Sequence, residues 1–138
     1  METEKISGRC LGKVGYKYKA IIEMKLPSCN TYINECRRNR YAGAKLKSET
    51  ETAIMYYLED LPRFEKPIKI GFHWIENNHR RDLDGICFAK KFIFDAMVKA
   101  GIISDDNRKI VTAFTDTFGY DKEAKVILTI EEVEDGTL

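Results

Sequence analysis

The sequence lacks several features that mark particular classes of protein. Its four cysteines form no CxxC pair and it contains only two histidines, so a structural zinc site is not expected. No apolar run approaches the ~20 residues of a transmembrane helix, and the N-terminal METEKISGRC has no apolar stretch typical of a secretory signal. We therefore expect a cytoplasmic protein with reduced cysteines and no membrane partner.

The sequence also lacks an excess of either charge. Its 23 basic and 22 acidic residues leave a net charge of +1, which does not by itself predict a nucleic-acid partner. The basic residues are nonetheless clustered, because RRNRYAGAKLK, residues 37–47, contains no acid. This stretch indicates either a phosphate-binding surface or a solvated loop. Its cations are Arg37, Arg38, Arg40, Lys45 and Lys47.

The length of 138 residues favours one compact domain. Strand patterns cover 16–26, 67–75, 108–114 and 124–133. Helices are predicted from a capping box at Ser48 and Glu51 to about Leu61, and from Asp84 to Gly101, whereas 26–47 and 115–123 have the character of a loop and a turn. We expect a single α/β (α+β) domain over 1–138, with a four-stranded mixed sheet, two main helices and loose termini at 1–12 and 134–138.

Carboxylates lie at both ends of the second predicted helix. Asp82 and Asp84 are two residues apart at the end of an extended segment, so their side chains point to the same side and repel each other unless a cation lies between them. With Asp106, or Asp105, as a third ligand, they suit Mg²⁺, which prefers carboxylate, water and phosphate oxygens. Such a site can activate water and stabilise a pentacoordinate phosphate.

Each of these residues also has a purely structural interpretation. Asp84 is a good helix N-cap, the segment 104–107 (SDDN) is typical of a turn, and Arg81 could simply neutralise Asp82. Lys91 lies two helical turns beyond Asp84 on nearly the same line. Its ammonium could neutralise a phosphate or belong, with Lys90, to a solvated face.

Several motifs occur together at fixed spacing: RRDLDG, KKFIFDAMVKAG and SDD, preceded by PIKIGFHW and LPSCNTYINECRRNRY. In this combination the chain resembles the RusA family of Holliday-junction resolvases, whose signature is roughly RDxDN, then Lys, then DAL, KAG and DD. The similarity covers residues 20–132. It implies a small homodimeric endonuclease that uses Mg²⁺ (Mn²⁺ can substitute) and resolves four-way DNA junctions by paired symmetric nicks in recombination and repair. Many members are encoded by phages or prophages.

The resemblance implies roles for individual residues. The three essential aspartates of the family correspond to Asp82, Asp84 and Asp106. Gly85 stands where the family usually has Asn. The cations expected to hold the DNA backbone are those of residues 37–47 together with Arg80 and Arg81.

The lysine of the family has two possible counterparts, because this chain is three residues longer between Asp84 and Asp95. Counted forward from Asp84 the position is Phe88, and counted back from Asp95 it is Lys91. We assign the role to Lys91, with Lys90 in reserve.

The spacing of the acids raises a geometric question. A continuous helix over 86–100 is about 22 Å long, and residues 101–106 span at most about 20 Å. Asp106 therefore reaches Asp84 of its own chain only if the loop runs straight back along the helix. We expect either a broken or shortened helix, or a site that is shared across a dimer.

The leading hypothesis is a Mg²⁺-dependent endodeoxyribonuclease that resolves four-way junctions. A junction-binding or DNA-binding protein without catalysis is the first alternative, because Gly85 and the displaced lysine depart from the family pattern. A nuclease for other branched DNA, such as flaps and forks, is the second, since it would use the same site chemistry.

Overall fold

The computed structural model describes the backbone of residues 10–14 and residues 17–133 in full. The strands in this part of the chain are β1 (Cys10–Val14), β2 (Lys17–Ile22), β3 (Ile68–Glu76), β4 (Val111–Tyr120) and β5 (Lys125–Glu132). Its helices are α1 (Cys29–Arg38), α2 (Arg40–Leu58), α3 (Leu83–Cys87) and α4 (Lys90–Lys99).

The strands form one mixed sheet in the order β1-β2-β5-β3-β4. β3 and β4 are parallel, with α3 and α4 in the connection between them, and the other neighbours are antiparallel. A single α+β domain with a mixed sheet of the four predicted strands is thus confirmed, and β1 adds a fifth strand at one edge.

The helices α2 and α4 cover one face of this sheet. Along β3, the side chains of Ile68, Ile70, Phe72 and Trp74 are buried at every second position, which confirms the face predicted from the alternation. They form one core with the buried residues of the two helices. The contributing helix residues are Ile54 and Leu58 from α2, and Phe92, Ile93, Ala96 and Met97 from α4.

The prediction of a long loop over residues 26–47 is wrong, because most of this segment is helical. α1 begins after Ser28, whose hydroxyl accepts the N–H of Thr31 at 3.2 Å. α2 begins after Asn39, whose side-chain oxygen accepts the N–H groups of Tyr41 and Ala42 at 2.9 and 2.8 Å. One asparagine therefore caps the second helix directly after the first helix ends.

The capping box predicted at Ser48 is also wrong, since Ser48 lies inside α2. The helix already has its cap at Asn39 and ends at Leu58. Gly43 permits the tight turn between the two helices, because a Cβ at this position would lie 2.5 Å from Cys36 Sγ. The N-cap preference that suggested Ser48 is a local signal, and an earlier cap with helix-forming Ala, Lys and Leu between the two overrides it.

The helix predicted between Asp84 and Gly101 is broken. α3 and α4 are separated by a tight turn, in which the N–H of Ala89 bonds to Ile86 O and that of Lys91 to Phe88 O, each three residues back. The predicted end of this helical region at Gly101 is confirmed, because Gly101 adopts a φ of 76° after the last turn of α4.

Several predicted boundaries move: β2 ends at Ile22 and not at Leu26, and β4 begins at Val111 and not at Arg108. β4 continues to Tyr120, through residues predicted as a turn, because β-branched and aromatic residues alternate around Asp116 and Gly119. Residues 10–12, predicted as part of a loose terminus, belong to β1, whereas the predictions for 1–9 and 134–138 lie outside the described residues.

Candidate functional site

The carboxylates of Asp82 and Asp84 lie beyond the end of β3, at the start of α3. Asp82 occupies the N-cap position with an extended backbone (φ −74°, ψ 154°), but its side chain makes no capping hydrogen bond. Asp84 lies in the first turn, where one of its carboxylate oxygens accepts the N–H of Gly85 at 2.9 Å. Both residues are exposed. Capping therefore does not account for Asp84, and most of the oxygen lone pairs of the pair are available to a ligand.

Arg81 fixes the segment that carries this pair. Its guanidinium donates to both carboxylate oxygens of Glu76 at 2.8 and 2.6 Å, and to the carbonyl of Leu26 at 2.8 Å. Glu76 is buried at the end of β3, so Arg81 ties the loop after β3 to the start of the helical region. Arg81 forms its ion pair with Glu76 and none with Asp82, so the interpretation that Arg81 neutralises Asp82 is not supported. Arg80 is exposed beside the aspartate pair.

A cleft of ≈ 440 Å³ separates the aspartate pair from the start of α1. The first residues of α1 line this cleft together with the aspartates, and its first turn contains no acidic residue, so the positive end of the helix borders the cleft without a neutralising acid of its own. Oxyanions and a divalent cation are both accommodated by such surroundings. The lining residues are Ser28, Cys29, Asn30, Arg80, Arg81, Asp82, Asp84, Gly85 and Phe88.

The two adjacent lysines of α4 have different surroundings. Lys90 Nζ donates to Asp116 at 2.5 Å and lies 4.4 Å from the ring centroid of Phe114. Lys91 is exposed, and its ammonium has no ion pair within the described residues. Lys91 was predicted to share one helical line with Asp84 in a continuous helix. Because the helix breaks between α3 and α4, that relation no longer holds. The structure therefore leaves Lys91 available to a ligand, whereas Lys90 is engaged.

Asp116 is an acid of β4 that the sequence did not single out. It lies on β4 beside Phe72 of β3, where one carboxylate oxygen accepts the indole N–H of Trp74 at 2.8 Å and the other is bound by Lys90. The sequence did contain a signal for this residue: an acid in a strand of alternating residue types, downstream of two adjacent lysines. Position 116 was assigned to a turn, and this concealed its partners.

The predicted basic residues separate into two groups. Arg37, Arg38, Arg40 and Lys45 are exposed around the junction of α1 and α2. Lys47 instead pairs with Glu51, which is fully buried, and with Asp95 at 3.0 Å. Burial by itself lowers the pKa of Lys47, but its hydrogen bonds to Glu51 and Asp95 outweigh that effect, so its pKa is raised.

The exposed cations surround an aromatic side chain. Tyr41 is 76% exposed, and the guanidinium of Arg40 lies 5.9 Å from its ring centroid. A shallow groove of ≈ 400 Å³ runs beside it along the start of α2, with Arg38 and Lys45 in its wall. Cations with an exposed aromatic ring are a surface that nucleic-acid backbones and bases can contact.

Asp106 lies at the opposite end of the β3–β4 ladder from the aspartate pair. The N–H of Ile68 bonds to Ile110 O at 2.8 Å, so the segment after Asp106 enters the sheet where β3 begins. The pair follows Glu76, where β3 ends, and the nine residues of this strand span about 26 Å. Within the described ranges, no group of three or more His, Cys, Asp or Glu side chains is arranged to hold a metal ion. The helix break therefore does not bring the three predicted ligands together in one chain.

Asp105 and Asp106 are distinguished by their hydrogen bonds. The carboxylate of Asp105 accepts the N–H of Asp106 at 2.7 Å and the side-chain amide of Asn107 at 3.2 Å. The carboxylate of Asp106 has no hydrogen-bond donor among the described residues. Asp105 thus shapes the turn, and Asp106 is the carboxylate that remains available.

Two aromatic rings stack at the C-terminal end of β4. The rings of His79 and Tyr120 lie 3.6 Å apart and nearly parallel, at 23°. Tyr120 is the last residue of β4, and His79 belongs to the loop that precedes the aspartate pair. The stacking holds this loop against the edge of the sheet.

A comparison with protein-family models found no match, and a comparison with curated proteins found none either. No helix in the described part of the chain combines the length and the hydropathy that a transmembrane span requires.

Proposed function

We propose that this protein is a Mg²⁺-dependent endodeoxyribonuclease that resolves four-way DNA junctions. One structural observation supports the proposal above the others: Asp82 and Asp84 are exposed, the side chain of Asp82 makes no capping hydrogen bond, and both residues line one cleft with the acid-free start of α1. Two adjacent carboxylates without a cation repel each other. A hard cation bound between the two carboxylates would offset this repulsion and would also bind a phosphate oxygen.

The donor set fits Mg²⁺, because the available groups are carboxylate oxygens at a solvent-accessible cleft. Asp82 and Asp84 would hold the ion together with Asp106, and the chemistry supplied there is activation of water and neutralisation of charge on the scissile phosphate. The start of α1 would orient phosphate oxygens through its free N–H groups. The exposed ammonium of Lys91 would add positive charge where the phosphate becomes more negative.

The exposed cations would hold the DNA backbone outside this cleft. We assign that role to the surface formed by Arg37, Arg38, Arg40 and Lys45, with Arg80 next to the aspartates. Arg81 and Lys47 are already ion-paired inside the protein, and we propose that they position these surfaces. A homodimer with two such sites would account for paired nicks, because a two-fold axis repeats the site.

The proposal is tested with an end-labelled mobile four-way junction, incubated with wild type or Asp84→Asn in Mg²⁺ or in chelator. We expect paired symmetric nicks from wild type in Mg²⁺ and none in chelator. Asp84→Asn should reduce the rate at least ~100-fold. Glu65→Gln is the matched control, because it removes an exposed acid whose ion pair among the described residues is with the exposed Arg63; its rate should equal that of wild type.

Three outcomes would contradict parts of the proposal. Undiminished cleavage by Asp84→Asn would exclude the aspartate pair as the site. Junction binding without any Mg²⁺-dependent cleavage would favour a binding protein without catalysis. Faster cleavage of forks or flaps than of four-way junctions, in a panel of branched substrates, would favour the broader nuclease.

A further inference from the structure

The stack of His79 on Tyr120 lies at the surface, next to the segment that carries the aspartate pair. The two rings are 3.6 Å apart and nearly parallel. His79 is exposed, Tyr120 is 51% exposed, and neither residue belongs to the hydrophobic core. Burial of apolar surface therefore accounts for little of this contact. Its main effect is to fix the plane of the imidazole.

The loop that carries His79 is itself held in place. Arg81 binds both carboxylate oxygens of Glu76, which is buried at the end of β3. Within the loop, the side-chain oxygen of Asn78 accepts the N–H of Arg80 at 3.0 Å. His79 therefore projects from an ordered turn, and its stacking partner orients the ring. A side chain that is already ordered loses little entropy when it binds a ligand.

The polar edge of this imidazole is unoccupied. In the part of the chain that the structure describes, neither ring nitrogen of His79 has a hydrogen-bond partner. A neutral imidazole has one N–H donor and one nitrogen acceptor, and stacking uses the face of the ring and not these groups. The other histidine, His73, differs, because its Nδ1 lies 2.7 Å from the hydroxyl of Thr117. His79 is thus an oriented polar group that remains available to a ligand.

The position of His79 limits what it can contact. Tyr120 pairs with Glu76, whose side chain lies on the face of the sheet that the helices cover, so the stack belongs to this face. His79 precedes Asp82 by three residues, and their Cα atoms are at most about 11 Å apart. Successive bases of one duplex strand are separated by about 3.4 Å along the axis. With the scissile phosphate held at Asp82 and Asp84, His79 reaches nucleotides within about three positions of it.

The edge of a base suits this imidazole better than a phosphate does. Arg80, the next residue, is exposed and carries a permanent charge, so a phosphate near this loop has a stronger ligand. The four bases present different donors and acceptors in the major groove. A hydrogen-bonding group with a fixed orientation can discriminate among them, whereas a mobile one adapts to several.

We propose that His79, oriented by Tyr120, hydrogen-bonds to the edge of a base close to the scissile phosphate and sets a sequence preference at that position. The inference rests on the proposed function for the place of the scissile phosphate, but base recognition is measurable as binding without cleavage. His79 is the residue that contacts the DNA. Tyr120 is a positioning residue that acts through it.

The experiment selects bound four-way junctions from a pool in which the base pairs around the crossover are randomised. Binding is carried out in chelator, and the bound junctions are sequenced. His79→Phe keeps a ring that can stack and removes both nitrogens. We expect wild type to favour one base at one position by at least ~5-fold. In His79→Phe this preference should fall to less than ~2-fold, with binding of the disfavoured junctions unchanged.

His73→Phe is the matched control, because it makes the same substitution on the opposite face of the sheet. It should retain the full preference. Tyr120→Ala should lose the preference, and Tyr120→Phe should retain it, since phenylalanine also stacks. A stack with only a structural role would change stability in Tyr120→Ala without changing the base preference. An unchanged preference in folded Tyr120→Ala would therefore overturn the positioning role of Tyr120.

Three results would overturn base recognition by His79. They are a wild type without any base preference, a His79→Phe variant with the wild-type preference, and equal weakening of all sequences in His79→Phe. The last result would assign His79 to a phosphate. If Tyr120→Ala does not fold, the His79→Phe variant decides the question, because it leaves β4 unchanged.

Cleavage of the selected junctions in Mg²⁺ separates this inference from the proposed function. A base preference that depends on His79, without any cleavage by wild type, would support the inference and overturn the catalytic proposal. Cleavage by wild type with an unchanged preference in His79→Phe would do the reverse. Absence of junction binding by wild type would overturn both.

Discussion

Two neighbouring lysines at the start of α4 show how the surroundings of a residue determine its role. Lys90 is largely buried, and it is held between the carboxylate of Asp116 and the face of Phe114. Its charge balances a partly buried acid that also accepts from Trp74. Lys91 is exposed, so its charge makes little contribution to folding.

Substitution of each lysine by methionine should separate stability from catalysis. Lys90→Met leaves Asp116 without its cation and should lower the free energy of unfolding by about 1–3 kcal/mol, measured by urea denaturation. Lys91→Met should change stability by no more than about 0.5 kcal/mol but reduce the rate at saturating junction about 100-fold. The assignment of Lys91 would be wrong if its variant cleaved normally and a folded Lys90→Met did not.

The start of α2 shows the same dependence on context at the level of an element. Asn39 ends one helix and caps the next, and its side chain accepts two of the free N–H groups of α2. Ser48, with Glu51 three residues later, has the sequence of a capping box. It lies in the helix interior, where Glu51 instead receives Lys47 and Lys99 as a buried ion-paired carboxylate.

Replacement of the two candidate caps by alanine should give unequal effects. Asn39→Ala removes the capping hydrogen bonds and should lower the free energy of unfolding by about 1 kcal/mol, and up to about 2. Ser48→Ala should change it by less than about 0.5 kcal/mol, since alanine is the better helix former at an interior position. Thermal denaturation followed by circular dichroism measures both. Equal destabilisation would contradict the position of the cap.

For the whole molecule, the distribution of charge matters more than its total. A net charge of +1 conceals an exposed cluster of Arg37, Arg38, Arg40 and Lys45 next to Tyr41. Glu35, which pairs with Arg38, and Glu49 line the groove beside this cluster, whereas other acids lie in the candidate site or in ion pairs such as that of Glu76 with Arg81. A nearly neutral protein can therefore present a local surface of high positive potential.

Neutralising this cluster should weaken junction binding in a salt-dependent manner. Substituting its four cations by glutamine should reduce the slope of log K against log salt by up to ~3–4, at about 0.9 for each lost phosphate contact. Unfolding should be little changed, because all four side chains are exposed. The control replaces exposed lysines at 19, 66, 69 and 122 by glutamine. Equal losses in the two variants would show a general charge effect without a defined surface.

The sequence by itself determined the features that depend on local periodicity and backbone preference. The buried face of β3 follows from strict alternation at Ile68, Ile70, Phe72 and Trp74, and the end of α4 follows from a glycine that adopts a positive φ. The aspartate pair was singled out as a candidate site because its spacing and neighbours are a contiguous pattern, and its role stays a prediction.

Only the tertiary structure decided which groups are occupied and which are free. Arg81 and Lys47 resemble the other cations in the sequence, but each is bound by a buried acid, Glu76 or Glu51. Asp116 gained its partners through the parallel pairing of β3 with β4, which no local pattern predicts. The separation of Asp106 from Asp82 likewise follows from strand direction. Contacts between distant segments depend on how the elements pack, and local sequence preferences do not contain that information.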